Sequence, residues 1–440
     1  MEEQSSLVFA ETKQGEEIRA RWAWTEPTVW SERMLTALEN GVKGGKWFSL
    51  IDKVWKKTNL EAAWQRVKSN NGSGGVDGKT VRQIGVNWEK ECNKLYDLLT
   101  SDRYTPQPIR RTWIPKPFGK EKRPLGIPTV HDRIVQTALR NVIEPIFEKS
   151  FAEHSYGFRP NRGCKDALRR VDTLLKDGYR YIVDADLKSY FDSIPHERLM
   201  VLIEEKIADS RVLSLIRGYL KQGVMDGMKK WETKEGTPQG AVISPLLANI
   251  YLNPLDHLMA GKGWEMIRYA DDFVILCRTR KEAEDALEAV HTWCREVGLT
   301  LHPEKTHIAT AEEGFEFLGY LFKKGGKYPC QRSKTKLRTK VRRQTRRTDG
   351  RGLGKIITRL NPILRGWYNY FKHCCERNLE DMDGWVRHRL RAILNKRKGR
   401  SRWKITQKDH SRWKNSFFLE QGLFSLAVAQ AVERQSLNRK

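Results

Sequence analysis

The segment Met266-Ile267-Arg268-Tyr269-Ala270-Asp271-Asp272-Phe273-Val274-Ile275-Leu276 constrains the fold of this chain more than any other stretch. Two short apolar runs meet at a pair of adjacent acids, a pattern that predicts two buried strands joined by a tight turn. Two carboxylates at a hairpin tip repel each other, and a divalent cation removes that conflict. Taken alone, the Tyr-Ala-Asp-Asp step reads equally well as an acidic turn between strands.

A second acidic strand changes the balance. Tyr181-Ile182-Val183-Asp184-Ala185-Asp186-Leu187 is apolar apart from its acids, and period-two alternation puts Asp184 and Asp186 on one face. Carboxylates on neighbouring strands can converge on two Mg²⁺ ions, which align a 3′-hydroxyl for in-line attack and stabilise the leaving pyrophosphate. Hard cations of this kind take oxygen ligands, which Asp supplies compactly. One acid of the pair can instead cap or pair with a nearby Lys or Arg, and that role is assigned to Asp184.

Charge points to the partner. The chain carries a formal net charge of +27 over 440 residues. From position 331 to the end there are 30 Lys and Arg against 8 Asp and Glu; the first 330 residues hold 51 against 46. A basic last quarter on a balanced body, with Trp and Tyr interleaved, predicts a nucleic-acid partner; a merely solvated basic surface is the alternative. No apolar run reaches the roughly 18 residues of a membrane span. The first 17 residues lack the basic-then-apolar order of a secretory signal, which predicts a cytoplasmic protein. The seven cysteines form no Cys-x-x-Cys pair; reduced thiols and no zinc are expected.

The coarse pattern is α+β, with strands scattered between helices rather than in regular βαβ order. Residues 1–60 read as a polar extension followed by helical segments, with Trp22, Trp24 and Trp30 as packing anchors. Residues 70–78 form a Gly/Asn-rich loop. Two strands are expected over 110–127 around a turn at 117–120, helices over 132–149 and 244–258, and a final strand over 315–322. Lys116 and Arg123 lie on the two arms of the 110–127 hairpin, so both can reach one phosphate group.

The ordered set of motifs resembles the reverse transcriptases encoded by bacterial group II introns, which also act as maturases. The pieces are the loop from Asn70 to Gly78, Ile114-Pro115-Lys116-Pro117, Arg123-Pro124-Leu125-Gly126-Ile127-Pro128, Ser155-Tyr156-Gly157-Phe158-Arg159-Pro160, Asp184-Ala185-Asp186 through Asp192, Thr237-Pro238-Gln239-Gly240, Ser244-Pro245-Leu246-Leu247-Ala248-Asn249, Tyr269-Ala270-Asp271-Asp272, Gly298-Leu299 to Lys305, and Phe317-Leu318-Gly319-Tyr320. They keep the family's order. Residues 360–371 resemble the family's thumb, or domain X, and residues 423–427 its small DNA-binding region.

The resemblance implies a right-hand polymerase with fingers, palm and helical thumb, followed by a basic helical C-terminal region. It makes Asp186, Asp271 and Asp272 the catalytic ligands of two Mg²⁺ ions. Lys116 and Arg123 would hold the triphosphate of a dNTP, Gln239 would line its pocket, and Phe191 would fill the space of a ribose 2′-hydroxyl. Lys305 resembles a family lysine near the active site. The implied layout is 1–60 N-terminal extension, 61–330 fingers and palm, 331–395 thumb or maturase domain, and 396–440 a short basic DNA-binding region. The implied partners are the group II intron RNA and an RNA template with a DNA primer or target DNA, in a bacterial cytoplasmic ribonucleoprotein. Arg342, Arg343, Arg346, Arg347, Arg365, Lys396, Arg397 and Lys398 are the expected phosphate-binding residues.

Many relatives end in an HNH nuclease with Cys-x-x-Cys pairs, and no cysteine follows Cys375. No DNA-cutting domain is therefore expected, and priming would come from an external 3′ end such as a nascent strand at a replication fork. Two competing readings are a splicing-only RNA-binding maturase and a retron, diversity-generating or defence reverse transcriptase. The intact acids speak against the first, and the long thumb with Arg365-Gly366-Trp367 against the second.

Overall fold

The computed structural model describes residues 15–115, 122–226, 229–231, 235–399 and 405–437. Lys116 and the 117–120 turn lie outside the described residues, as do Arg400 and Lys404. The chain forms two compact units, one ending at Ile308 and the other beginning at Ala309. This packing boundary falls earlier in the chain than the functional boundary expected at 330.

Among the described residues, eight strands come first: β1 (Ile109–Pro115), β2 (Lys122–Ile127), β3 (Tyr181–Asp186), β4 (Val224–Asp226), β5 (Lys229–Trp231), β6 (Glu265–Tyr269), β7 (Asp272–Cys277) and β8 (His307–Thr310). They make two four-stranded sheets, ordered β2-β1-β4-β5 and β6-β7-β3-β8. The expected 110–127 hairpin is present as β1 and β2, antiparallel from Arg110 opposite Ile127 to Pro115 opposite Lys122.

The sheet holding β3 and β7 is covered by apolar helices. Val183 and Ala185 of β3 and Phe273, Ile275 and Cys277 of β7 are buried in one core with residues of helices Val130–Glu148 and Ser244–Gly261. The helix Val130–Glu148 starts where Thr129 accepts a hydrogen bond from the Asp132 amide, an N-cap that satisfies one orphan donor. Helix Ser244–Gly261 carries Pro245 in its first turn, where no amide hydrogen is needed. Nearly all its apolar residues are buried, so it reads as a hydrophobic run rather than an amphipathic stripe.

Residues 15–60 are not a loose extension. Trp22 and Trp30 belong to the core of the first unit, and Trp24 packs against it. The Trp30 indole donates to the Asn141 carbonyl at 2.9 Å, tying this segment to helix Val130–Glu148.

The second unit adds β9 (Phe315–Phe317), β10 (Tyr320–Lys323) and β11 (Gly326–Pro329), an antiparallel sheet ordered β11-β10-β9. The single strand expected over 315–322 is therefore two. Leu318 and Gly319 have φ of +47° and +81°, and this left-handed pair reverses the chain between Phe317 and Tyr320. Helices Gln331–Gln344, Leu353–Phe371 and Glu376–Arg397 follow. Helix Leu426–Leu437 packs against Glu376–Arg397. Buried Asp383 accepts from Ser425 Oγ at 2.6 Å and from the amides of Leu426 and Ala427, and so caps that last helix. Among the described residues no helix is long and apolar enough to cross a membrane.

Candidate active site and nucleic-acid interface

Antiparallel register brings the acids together. Asp186, the last residue of β3, stands directly opposite Asp272, the first residue of β7. Asp272 also pairs with Tyr269 across the β6–β7 hairpin, which leaves Ala270 and Asp271 as a two-residue turn. Such turns need a positive φ, usually supplied by Gly. Here Ala270 adopts φ +62°, at a local cost of about 1–2 kcal/mol. Like charges facing each other across strands are themselves destabilising.

Burial pushes the Asp271 carboxyl above the usual carboxylate range. A hydrogen bond from its own backbone and the charges of Arg268 and Lys305 oppose this, while nearby Asp186 adds to it. Lys305 places Nζ 2.6 Å from Asp186 Oδ2. Among the described residues no three acidic, His or Cys side chains stand in a ready-made metal cage. The donor set still suits a hard, oxygen-seeking cation. It consists of three carboxylates, one facing another in register and one raised in pKa by burial and by its acidic neighbour.

The other predicted site residues are distributed as follows. Gln239 lines a cavity of about 260 Å³ together with Arg111, Asp192, Gly236, Thr237 and Pro238. Its carbonyl accepts from the Gly126 amide at 2.7 Å. A Cβ on Gly240 would come within 2.3 Å of the Gly126 carbonyl oxygen, so this loop abuts β2 only because it carries glycine. Phe191 lies outside the cavity lining. Its backbone carbonyl accepts from the Thr237 amide at 2.6 Å, and its half-buried ring meets Tyr190 at 5.6 Å and exposed Phe158 at 6.5 Å. Arg123 is exposed on β2 opposite Ile114 and does not line the cavity either. Arg111 and Asp192, which do line it, were assigned no role in the site from the sequence. They look like ordinary surface charges until β1 and the 235–239 loop are brought together.

In the second unit Arg342 and Arg343 are exposed in the last turn of helix Gln331–Gln344, and Arg346 is exposed just beyond it. Arg347 is half-buried. The guanidinium groups of Arg338, Arg342 and Arg389 each lie 5.7–5.8 Å from the Trp385 ring. Arg365 stacks on Phe424 at 4.4 Å. Lys396, Arg397 and Lys398 are exposed at the end of helix Glu376–Arg397, where Arg397 donates to the carbonyls of Asp349 and Arg351. These surfaces combine positive charge with aromatic faces, the combination that holds phosphates and bases together.

Residues 114–322 match the family model for "Reverse transcriptase (RNA-dependent DNA polymerase)", and residues 334–413 match "Group II intron, maturase-specific domain". The protein YkfC of Escherichia coli K12 is 35% identical over 353 residues, covering 70% of this chain and 88% of YkfC. The chain belongs to the group II intron reverse transcriptase and maturase family. Its α+β fold is that of a reverse transcriptase. The family member LtrA of Lactococcus lactis subsp. cremoris, a group II intron-encoded protein, is 41% identical over 196 residues, which is 44% of this chain but 32% of LtrA. The chain thus spans most of one relative and about a third of the other. Among solved structures, telomerase from Candida albicans, determined with a fragment of telomeric RNA, aligns over 78% of this chain and 67% of its own at TM-score 0.40 and 13% identity. That likeness is remote.

Arg268 is a further residue to which the sequence alone assigned no role. Its signal was present: one arginine inside the apolar run that leads into Tyr269-Ala270-Asp271-Asp272.

Proposed function

We propose that this family member synthesises DNA on an RNA template with Asp186, Asp271 and Asp272 as ligands of two Mg²⁺ ions. The observation that carries the reading is the cross-strand placement of Asp186 opposite Asp272, one residue from Asp271 and beside Lys305. When bound, the cations activate the primer hydroxyl and offset charge on the leaving pyrophosphate. Asp186, Asp271 and Asp272 supply the oxygens, and Lys305 neutralises Asp186 until a cation arrives. Arg123, with Lys116, binds the triphosphate of the incoming dNTP. Gln239 lines its pocket, and Phe191 excludes the 2′-hydroxyl.

The second half of the reading concerns RNA. The chain binds its parent group II intron RNA as a maturase, assisting splicing and mobility within a cytoplasmic ribonucleoprotein. Arg342, Arg343, Arg346, Arg347, Arg365, Lys396, Arg397 and Lys398 bind the phosphates of that RNA or of the template–primer duplex. Residues 61–330 then serve as fingers and palm, 331–395 as thumb, and 396–440 as a basic DNA-binding region. The match of residues 334–413 to the maturase-specific domain favours this over a retron, diversity-generating or defence role.

The test separates the two activities. Asp271→Ala should abolish Mg²⁺-dependent cDNA synthesis and leave RNA affinity nearly unchanged, because losing a negative charge does not weaken attraction to phosphates. Robust cDNA synthesis by this variant would refute the site.

A further inference from the structure

Arg268 makes all its polar side-chain contacts away from water. It is 0% exposed. Its Nε donates to Asp256 Oδ1 at 2.8 Å and its Nη2 to the other oxygen of the same carboxylate. Its Nη1 is shared, donating at 2.9 Å both to Asn249 Oδ1 and to the carbonyl of Ala270. A buried ion pair is weak evidence for stability, since well-packed apolar groups often do as well. The hydrogen bond to the hairpin tip therefore asks for another explanation.

Ala270 is a residue that needs holding. It is a non-glycine with φ +62°, one position before Asp271. Its other side is walled by Gly157, where a Cβ would lie 2.1 Å from the Ala270 nitrogen. That wall is tied to the same arginine. The Tyr156 amide donates to the Arg268 carbonyl at 2.8 Å, and the Arg268 amide donates to the His154 carbonyl at 3.0 Å. Asn249 closes the loop, because its Nδ2 donates to the Gly157 carbonyl at 2.8 Å while its Oδ1 accepts from Arg268. One side chain on helix Ser244–Gly261 thus braces both walls of the turn.

We propose that Arg268 is a positioning residue for the polymerase site: through the Ala270 carbonyl it fixes the turn and so the direction in which Asp271 presents its carboxylate to a divalent cation. Asp256 and Asn249 aim the guanidinium. The proposal rests on the reading of Asp271 as a metal ligand. Groups that orient metal ligands typically change metal affinity by about 10–100-fold when altered.

The test begins with Mn²⁺ binding to the full chain, followed by electron paramagnetic resonance, for wild type and Asp271→Asn. Weaker binding by Asp271→Asn establishes the ligand. Equal binding overturns the metal assignment and, with it, the role of Arg268. Arg268→Lys keeps the charge but loses the fork and the reach to Ala270. It should weaken Mn²⁺ binding by about tenfold or more and raise the Mg²⁺ midpoint of primer extension by a similar factor. The KM for template–primer should stay within about twofold, because the surfaces that bind it are untouched. Asn249→Ala, a milder change, should move both metal readouts in the same direction by less, and it keeps the test open if Arg268→Lys fails to fold. A folded variant of either kind with wild-type Mn²⁺ affinity and Mg²⁺ midpoint, whatever its melting temperature, overturns the proposal.

Discussion

Lys305 holds Asp186 through a 2.6 Å ion pair between residues 119 positions apart in the chain. Both groups keep contact with water, at 60% and 32% side-chain exposure, so the pair is screened and worth at most about 1 kcal/mol. A divalent cation arriving at Asp186 must displace or share that ammonium. Lys305→Met should therefore tighten Mn²⁺ binding to the resting chain, by up to about fivefold, with little change in melting temperature. Weaker Mn²⁺ binding by this variant would mean that Lys305 helps to assemble the site instead of guarding it.

Phe191 offers a test of sugar selection that leaves the acids alone. Tyr190, its neighbour, is anchored by a hydroxyl hydrogen bond to the Ala248 carbonyl at 2.6 Å, so shortening Phe191 should not move the backbone. Phe191→Val should lower discrimination against ribonucleotides by about ten- to a hundredfold, while extension with dNTPs persists. Competition between dATP and ATP in single-nucleotide extension reads this directly. Unaltered discrimination would reduce Phe191 to core packing.

The basic surface of the second unit predicts a salt signature. Replacing Arg342, Arg343, Arg346 and Arg347 with Ala should weaken RNA binding. It should also flatten the dependence of log affinity on log salt by roughly 0.7–0.9 for each phosphate that the variant no longer neutralises. The measurement is a filter-binding or anisotropy titration between low and moderate salt. A parallel line displaced to weaker affinity would show that these arginines do not touch phosphates.

Asp383 predicts a stability effect far from any chemistry. It is 4% exposed and accepts three hydrogen bonds at the start of helix Leu426–Leu437. Asp383→Ala removes the cap and strands buried donors, at a cost of about 2–3 kcal/mol. Urea denaturation should show the destabilisation, and a shift below about 0.5 kcal/mol would mean that the C-terminal helix docks by its apolar face alone.

Much of the site was legible because it is written in short-range pattern. Alternation put Asp186 at the end of a buried strand, and two apolar runs marked the hairpin at Asp271-Asp272. Leu318-Gly319 shows where such reading fails: a single apolar run over 315–322 conceals a reversal, because the turn depends on backbone φ and not on hydrophobicity. The tryptophans near the N-terminus were legible as anchors, but not as part of the main core, since Trp30 meets Asn141 from 111 positions away.

The sequence by itself determined the family, the acids, the strands that carry them and the basic last quarter. Those properties reside in residue identity and in periods of two or four residues. Only the tertiary structure decided that Asp186 faces Asp272, that Lys305 sits on Asp186, and that Arg268 is locked between Asp256, Asn249 and the Ala270 carbonyl. Each of these depends on strand register or on packing between distant segments. A one-residue slip in register would leave every local pattern intact and turn the side chains to the opposite face.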